Sequence, residues 1–134
     1  MPITLSQAGL VAVFAGGELD GQTELFSYGR LPLAISLRCF TARHHNPSKD
    51  DCGFRCIENP DGFTVSTQDK ESCLVMNGLQ TQSARVYNLI DEVARLVVMG
   101  MSHLCISPQS AQTADVVAMF NAGLDGVLKP TGLR

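Results

Sequence analysis

The sequence predicts an α/β fold, and three observations predict it. Short apolar runs alternate with segments of helical period. Glycine- and proline-rich punctuation separates them. The chain has 134 residues, 45% of them apolar, which is enough for one domain with a core. The predicted order is helix, strand, helix, cysteine loop, hairpin, helix, strand, helix. Strands alternating with helices imply parallel β/α units. An eight-unit barrel takes about 250 residues, so the pattern fits either a small α/β domain or a piece of a larger barrel.

Each element has its own signal. Ser6 is a candidate N-cap for a helix with Leu10, Val13 and Phe14 on one face and Gly16-Gly17 as its stop. Residues 23–28 (TELFSY) read as a short strand closed by Gly29. Pro32 suits the first turn of a helix, predicted from Leu33 to about Ala42, with Cys39 near its C-terminal end. Residues 44–51 (HHNPSKDD) read as a loop. Asn59-Pro60-Asp61-Gly62 is a turn signal, and residues 63–66 and 73–76 form the strands of a predicted hairpin joined by QDKE. Asn77-Gly78 ends that unit. Ser83 or Asn88 then caps a helix with Leu89, Val93, Leu96 and Val97 on its apolar face, stopped by Gly100. Residues 103–107 (HLCIS) read as a strand. Thr113 caps a last helix, with Val116, Val117 and Phe120 facing inward and Gly123 ending it.

Composition narrows the functional classes. Ten basic against thirteen acidic residues give a net charge of -3 with no basic run. Nucleic acid is an unfavourable partner, because phosphate binding needs clustered Lys and Arg. The first residues, MPITLSQAGLVAVFAGG, have no basic region of the kind that opens a signal peptide. The longest apolar run, Leu10 to Ala15, falls far short of the roughly 20 residues of a membrane span. A cytoplasmic chain is expected. Its five cysteines then argue for thiols or metal ligands over a disulfide framework.

Residues 28–56, YGRLPLAISLRCFTARHHNPSKDDCGFRC, hold three of those cysteines, with Cys39, Cys52 and Cys56 spaced C-x12-C-x3-C. Thiolates gathered in this way suit a soft metal: an iron–sulfur cluster, zinc or copper(I). Arg38, Arg43, Lys49 and Arg55 offer positive charge to offset the thiolates, while Asp50 and Asp51 oppose it. Zinc with His44 or His45 as a fourth ligand fits the same spacing. So do buried structural thiols, or a disulfide. Cys105 lies in an apolar strand and reads as core. Cys73 opens a strand and reads as core or as a local fourth ligand. His103 reads as a surface or strand-end residue. Cys39 and His44 are close in sequence, but no spacing sets a catalytic triad. The H-E-x-x-H, G-x-S-x-G and P-loop patterns do not occur.

Beyond spacing, the pieces YG-x-LPLA-x-S, RCFTAR, P-x-K-D-D-C, NG-x-QT and ISPQ run in order from about Phe26 to Gln109. Together they resemble the collagenase-like peptidase U32 family, in particular its UbiV-like branch in ubiquinone biosynthesis. The resemblance implies a partial (β/α) TIM-barrel-like domain, about half a barrel. It would carry a cysteine-rich loop and a β-hairpin insertion. Residues 1–134 would form a single domain, the C-terminal portion of a family barrel. It implies a 4Fe-4S cluster held by four cysteines, three of which match Cys39, Cys52 and Cys56. The fourth ligand belongs to an N-terminal region of the barrel not contained in this chain. It implies a UbiU-like heterodimer partner and O2-independent hydroxylation of the ubiquinone precursor ring, with an oxygen donor such as prephenate. Tyr28, Arg30, Arg38 and Arg43 are the candidate supporting residues, Arg38 and Arg43 because they straddle Cys39. Peptidase activity and a structural zinc module are the alternatives. No nucleophile, base and oxyanion site are identifiable together for a peptidase.

Overall fold

The computed structural model describes residues 8–9, 11–12, 23–48 and 51–128. Residues 8–9 and 11–12 are helical; the rest of the helix expected from Ser6 to Gly16, and the terminal residues beyond 128, lie outside the described residues. Among the described residues the architecture is α/β, with a five-stranded mixed sheet and, from residue 23 on, three α-helices. Strand β1 spans Glu24–Ile35, followed by helix α1 (Phe40–His45) and a 3-10 turn (Arg55–Glu58). Strands β2 (Phe63–Ser66), β3 (Ser72–Asn77) and β4 (Gln80–Asn88) come next. A second 3-10 turn (Ile90–Glu92), α2 (Val93–Val98), β5 (His103–Ile106) and α3 (Thr113–Leu128) complete the chain. The hydrogen-bonded strand order is β2-β3-β4-β1-β5. β1 and β5 are parallel, whereas β2–β3 and β3–β4 are antiparallel. The β1–β5 pair has the parallel pairing expected of the β/α units.

The chain divides into two compact units. Of the described residues, the first takes those up to Gly29, residues 88–108 and residues 112–128. Its buried apolar residues are Val93, Leu96 and Phe120, and α2 packs on α3. Gly123 does not end α3: the helix runs on to Leu128. A methyl at Gly123 would meet Val93 at an ordinary 3.7 Å. Packing along this face outweighs the local propensity of glycine to stop a helix. Gly100, at φ +86°, does terminate α2 as expected.

The second unit takes residues 30–87 and 109–111. Its fully buried apolar side chain is Val75, joined by Thr41. The hairpin forms as expected, Phe63 opposite Met76 and Val65 opposite Leu74. Two expectations fail. Residues 31–35 are strand, not the start of a helix, so Cys39 stands at the N-cap of α1 rather than near a helix C-terminus. Leu31 precedes Pro32, which disfavours the helical region for it, and its N–H donates to Ser83 Oγ at 2.9 Å. Residues 80–88, expected to cap a helix, form β4 between β3 and β1. Asn88 does not cap either: Leu89 and Glu92 hold the N-cap positions of the 3-10 turn and of α2, and Asn88 Oδ1 accepts from the Ile90 N–H at 3.0 Å in a local turn.

The turn before β2 is tightly built. Gly62 has φ +80°, and its N–H donates to Asn59 O at 2.9 Å. A Cβ there would stand 2.7 Å from Met76 O and 2.9 Å from Val75 Cγ1. Beside it, the Asp61 carboxylate accepts from Ser110 N–H at 2.9 Å and from the Ser110 hydroxyl. These bonds, and more weakly the Arg30 charge, hold the Asp61 carboxyl below its ordinary range against a small opposing effect of burial.

Two outcomes test this account. Gly62→Ala is expected to destabilise the chain by more than about 2 kcal/mol, since strain and collision add. Gly78→Ala, also at positive φ but with open space around it, should cost only about 1 kcal/mol. Chemical denaturation of both variants reads the difference. Because the folded Asp61 pKa is depressed, its contribution is full above about pH 4 and is lost as pH falls through the folded value. Wild type should therefore lose more stability than Asp61→Asn on acidification from pH 5 to pH 2, read as denaturation midpoints.

Candidate functional site

The cysteine segment is positioned by the β3–β4 turn. Ser36 N–H donates to Leu79 O at 2.8 Å and Phe40 N–H donates to Gly78 O at 2.7 Å. Cys39 sits between these anchors in extended backbone (φ -63°, ψ 123°), and its side chain makes no capping bond. The residue is half-buried. α1 ends at Asn46 in the left-handed region, with Arg43, His44 and His45 in its last turn, where positive charge suits the helix C-terminus.

Cys52 and Cys56 bracket a second local device. Gly53 (φ +57°) and Phe54 (φ 51°) are both left-handed, a conformation uncommon for a bulky residue such as Phe54. The Phe54 N–H donates to Cys52 Sγ at 3.4 Å, and the Cys56 thiol donates to Phe54 O at 3.7 Å. A backbone N–H on a sulfur is the type of contact that tunes thiolate-bound clusters.

Cys39 and Cys52 line one open cavity of about 450 Å³, together with Arg38, Arg43, Ala42 and the 46–48 segment. Four of the residues singled out from sequence therefore share a space: two thiols and two guanidinium groups. Cys56 is not part of that lining, and its sulfur engages Phe54 O instead. Among the described residues, no group of three or more His, Cys, Asp or Glu side chains gathers closely enough to hold a metal ion. The donor chemistry suits a soft metal, since thiols stand beside cationic side chains and all five cysteines are free. The assembled set falls short of the four thiolates of a cubane cluster.

The other candidates have separate duties. The Arg30 guanidinium donates to Ser83 O at 3.2 Å and to Ala84 O, tying β1 to β4. Tyr28 belongs to the first unit and stacks edge-on against Phe120, with ring centroids 6.2 Å apart. His44 and His45 pack on Phe63 and do not line the cysteine cavity. Arg55 approaches His45 Nδ1 at 3.4 Å; a guanidinium only donates, so Nδ1 accepts and the hydrogen resides on Nε2. That Nε2 is buried without a partner.

The remaining thiols differ in environment. Cys73 is exposed and its thiol donates to Val65 O at 3.3 Å. Cys105 has its pKa raised by burial, then by a hydrogen bond and the negative charge of Glu24. The residue is only half-buried and does not belong to the buried core expected of it.

Sequence reasoning missed a second cavity, in the first unit. Tyr28, Ile90, Val116 and Phe120 supply its apolar walls, and Asn88, Gln112 and Asp115 its polar groups. The available signal was positional: the loop after β5 leads into a helix at the carboxyl end of a strand, where α/β folds place ligands.

Alkylation kinetics at pH 8, read by mass spectrometry, should rank the thiols. Cys52 and Cys73 are expected to react fastest and Cys105 slowest, because the thiolate is the nucleophile.

No protein-family model matches the chain, and no solved structure gives a significant match.

Proposed function

We propose that this chain is the cysteine-bearing part of an iron–sulfur protein of the U32 family's UbiV-like branch. On this reading Cys39, Cys52 and Cys56 supply three thiolates to a 4Fe-4S cluster, and a donor from outside the chain supplies the fourth. The observation that carries it is that Cys39 and Cys52, separated in sequence, open on one cavity walled by Arg38 and Arg43. Support also comes from the motifs around them, RCFTAR and P-x-K-D-D-C.

When bound, such a cluster supplies one-electron chemistry. The chain's own residues hold and bias it. Cys39 presents its sulfur from a backbone pinned on both sides by the β3–β4 turn. The Phe54 N–H donates to Cys52 Sγ and orients it. Arg38 and Arg43 offset the charge of the thiolates and give an anionic molecule a place to bind. Turning Cys56 toward the cavity requires its thiol to leave Phe54 O, a weak contact at 3.7 Å. The five-stranded sheet would then be part of a (β/α) barrel completed by strands outside the chain. A UbiU-like protein would be the partner, and the ubiquinone precursor ring the molecule hydroxylated without O2.

Anaerobic reconstitution with ferrous iron, sulfide and dithiothreitol as a fourth thiol tests the assignment. Broad visible charge-transfer absorption is expected, with iron and sulfide bound in equal amounts, and it should be lost in Cys39→Ala and Cys52→Ala. Stoichiometric zinc without sulfide would replace the cluster by a structural zinc site. Hydrolysis of peptides by the same preparation would move the chain to the peptidase side of the family.

A further inference from the structure

The turn that pins the cysteine segment is built on an Asn-Gly pair. Gly78 and Leu79 join β3 to β4, with Asn77 opposite Gln80. Gly78 takes φ +56° at the first turn position, where a two-residue hairpin favours glycine. The same pair carries a covalent reactivity. A backbone nitrogen can attack the side-chain carbonyl of a preceding asparagine, and a following glycine has no Cβ to obstruct the approach. A Cβ placed on Gly78 would meet nothing within 4 Å, so the attacking residue stands in open space. Gly78 also lies outside the strand pairing, which ends at Asn77 and Gln80.

The other asparagines lack this arrangement. Asn46 and Asn59 precede prolines, whose nitrogen has no hydrogen to lose. Asn88 precedes Leu89, and its Oδ1 accepts from the Ile90 N–H. Asn121 precedes Ala122 inside α3, where backbone nitrogens are bound in the helical ladder.

The reaction would remove a working contact. Asn77 Nδ2 donates to Pro60 O at 2.9 Å, which ties the β3–β4 turn to the turn before β2. A carboxylate in place of the amide only accepts, so it would face the Pro60 carbonyl as acceptor against acceptor. In an isoaspartate the Cβ of residue 77 also enters the main chain. Gly78 O and Leu79 O, which hold the Phe40 and Ser36 N–H groups, would then leave their register.

We propose that Asn77 is a site of spontaneous deamidation that releases the cysteine segment from the β3–β4 turn. Gly78 N bonds to Asn77 Cγ as the Cγ–Nδ2 bond breaks, and the Gly78 hydrogen leaves with Nδ2 as ammonia. Water then opens the resulting imide. Opening at the side-chain carbonyl gives aspartate on the normal backbone, and opening at the main-chain carbonyl gives isoaspartate. Water is the co-reactant, and the chain gains negative charge. None of this depends on what the thiols hold.

Ageing the whole chain at pH 8 and 37 °C, followed by peptide mapping in a mass spectrometer, tests the modification. Asn77 should convert to aspartate and isoaspartate, the latter detected by methyl uptake from an isoaspartyl methyltransferase, while Asn88 and Asn121 stay intact. Gly78→Ala should slow conversion about tenfold, since its Cβ hinders the approach that glycine leaves open. Hydrogen exchange read by NMR tests the release. The Ser36 and Phe40 amides should exchange about tenfold faster in the aged chain, the worth of one lost hydrogen bond, and Asn77→Asp should also speed them. If Asn77→Asp does not fold, the aged wild-type chain decides alone. An Asn77 that stays intact in the folded chain but converts in urea would overturn the proposal. So would equal conversion at Asn88 or Asn121, or a Gly78→Ala chain that ages at the wild-type rate. Conversion that leaves Ser36 and Phe40 as protected as before would overturn the release.

Discussion

Two backbone hydrogen bonds, Ser36 to Leu79 and Phe40 to Gly78, fix where the cysteine segment starts. Cys39 lies between them, so its position is dictated by the hairpin turn and not by the six-residue helix it caps. A helix that short has little stability of its own. The Phe40 bond satisfies one of the donors a helix start leaves open, and Gly78 supplies the positive φ that the turn requires. Helix α1 in turn packs on β3 and on the 3-10 turn that carries Cys56. The hairpin is therefore the template on which the thiols are arranged.

The two cavities have opposite chemistry. One is walled by soft thiols and two guanidinium groups, the other by aromatic rings and one carboxylate. Negative charge is favoured in the first and disfavoured in the second. The charge of the second comes from Asp115 alone, in the first turn of α3. Partial burial and Glu24 push the Cys105 thiol pKa up.

Much of the fold could be read from residues, with instructive exceptions. The hairpin was legible because Phe63–Ser66 and Leu74–Met76 carry strand-forming side chains and the Asn59–Gly62 turn marks its start. β5 and α2 were legible by period and by Gly100. The stretch 31–35 misled because Pro32 suits both a helix start and a strand, and only the partner strand decides. The stretch 80–88, QTQSARVYN, has no clean apolar alternation, and pairing on both sides makes it a strand. Gly123 misled because packing against Val93 is invisible in local sequence. Cys39, Cys52, Arg38 and Arg43 were legible as a group, whereas Arg30 turned out to cross-link strands. The cavity beside Tyr28 and Phe120 was not legible: its walls come from three separate segments and from residue types that any core uses.

Unequal depth of the two cores has a kinetic consequence. Among the described residues, Val75 alone is a deeply buried apolar side chain of the second unit, against Val93, Leu96 and Phe120 in the first. Burying one such side chain contributes only about 1.5–3 kcal/mol, so sub-global opening of the second unit lies well below global unfolding. Its amides then exchange with solvent through their own openings, ahead of those in α2 and α3. A single melting temperature does not describe such a chain. Every thiol of the cysteine segment consequently reports the breathing of its own unit, on a clock separate from that of the helix pair.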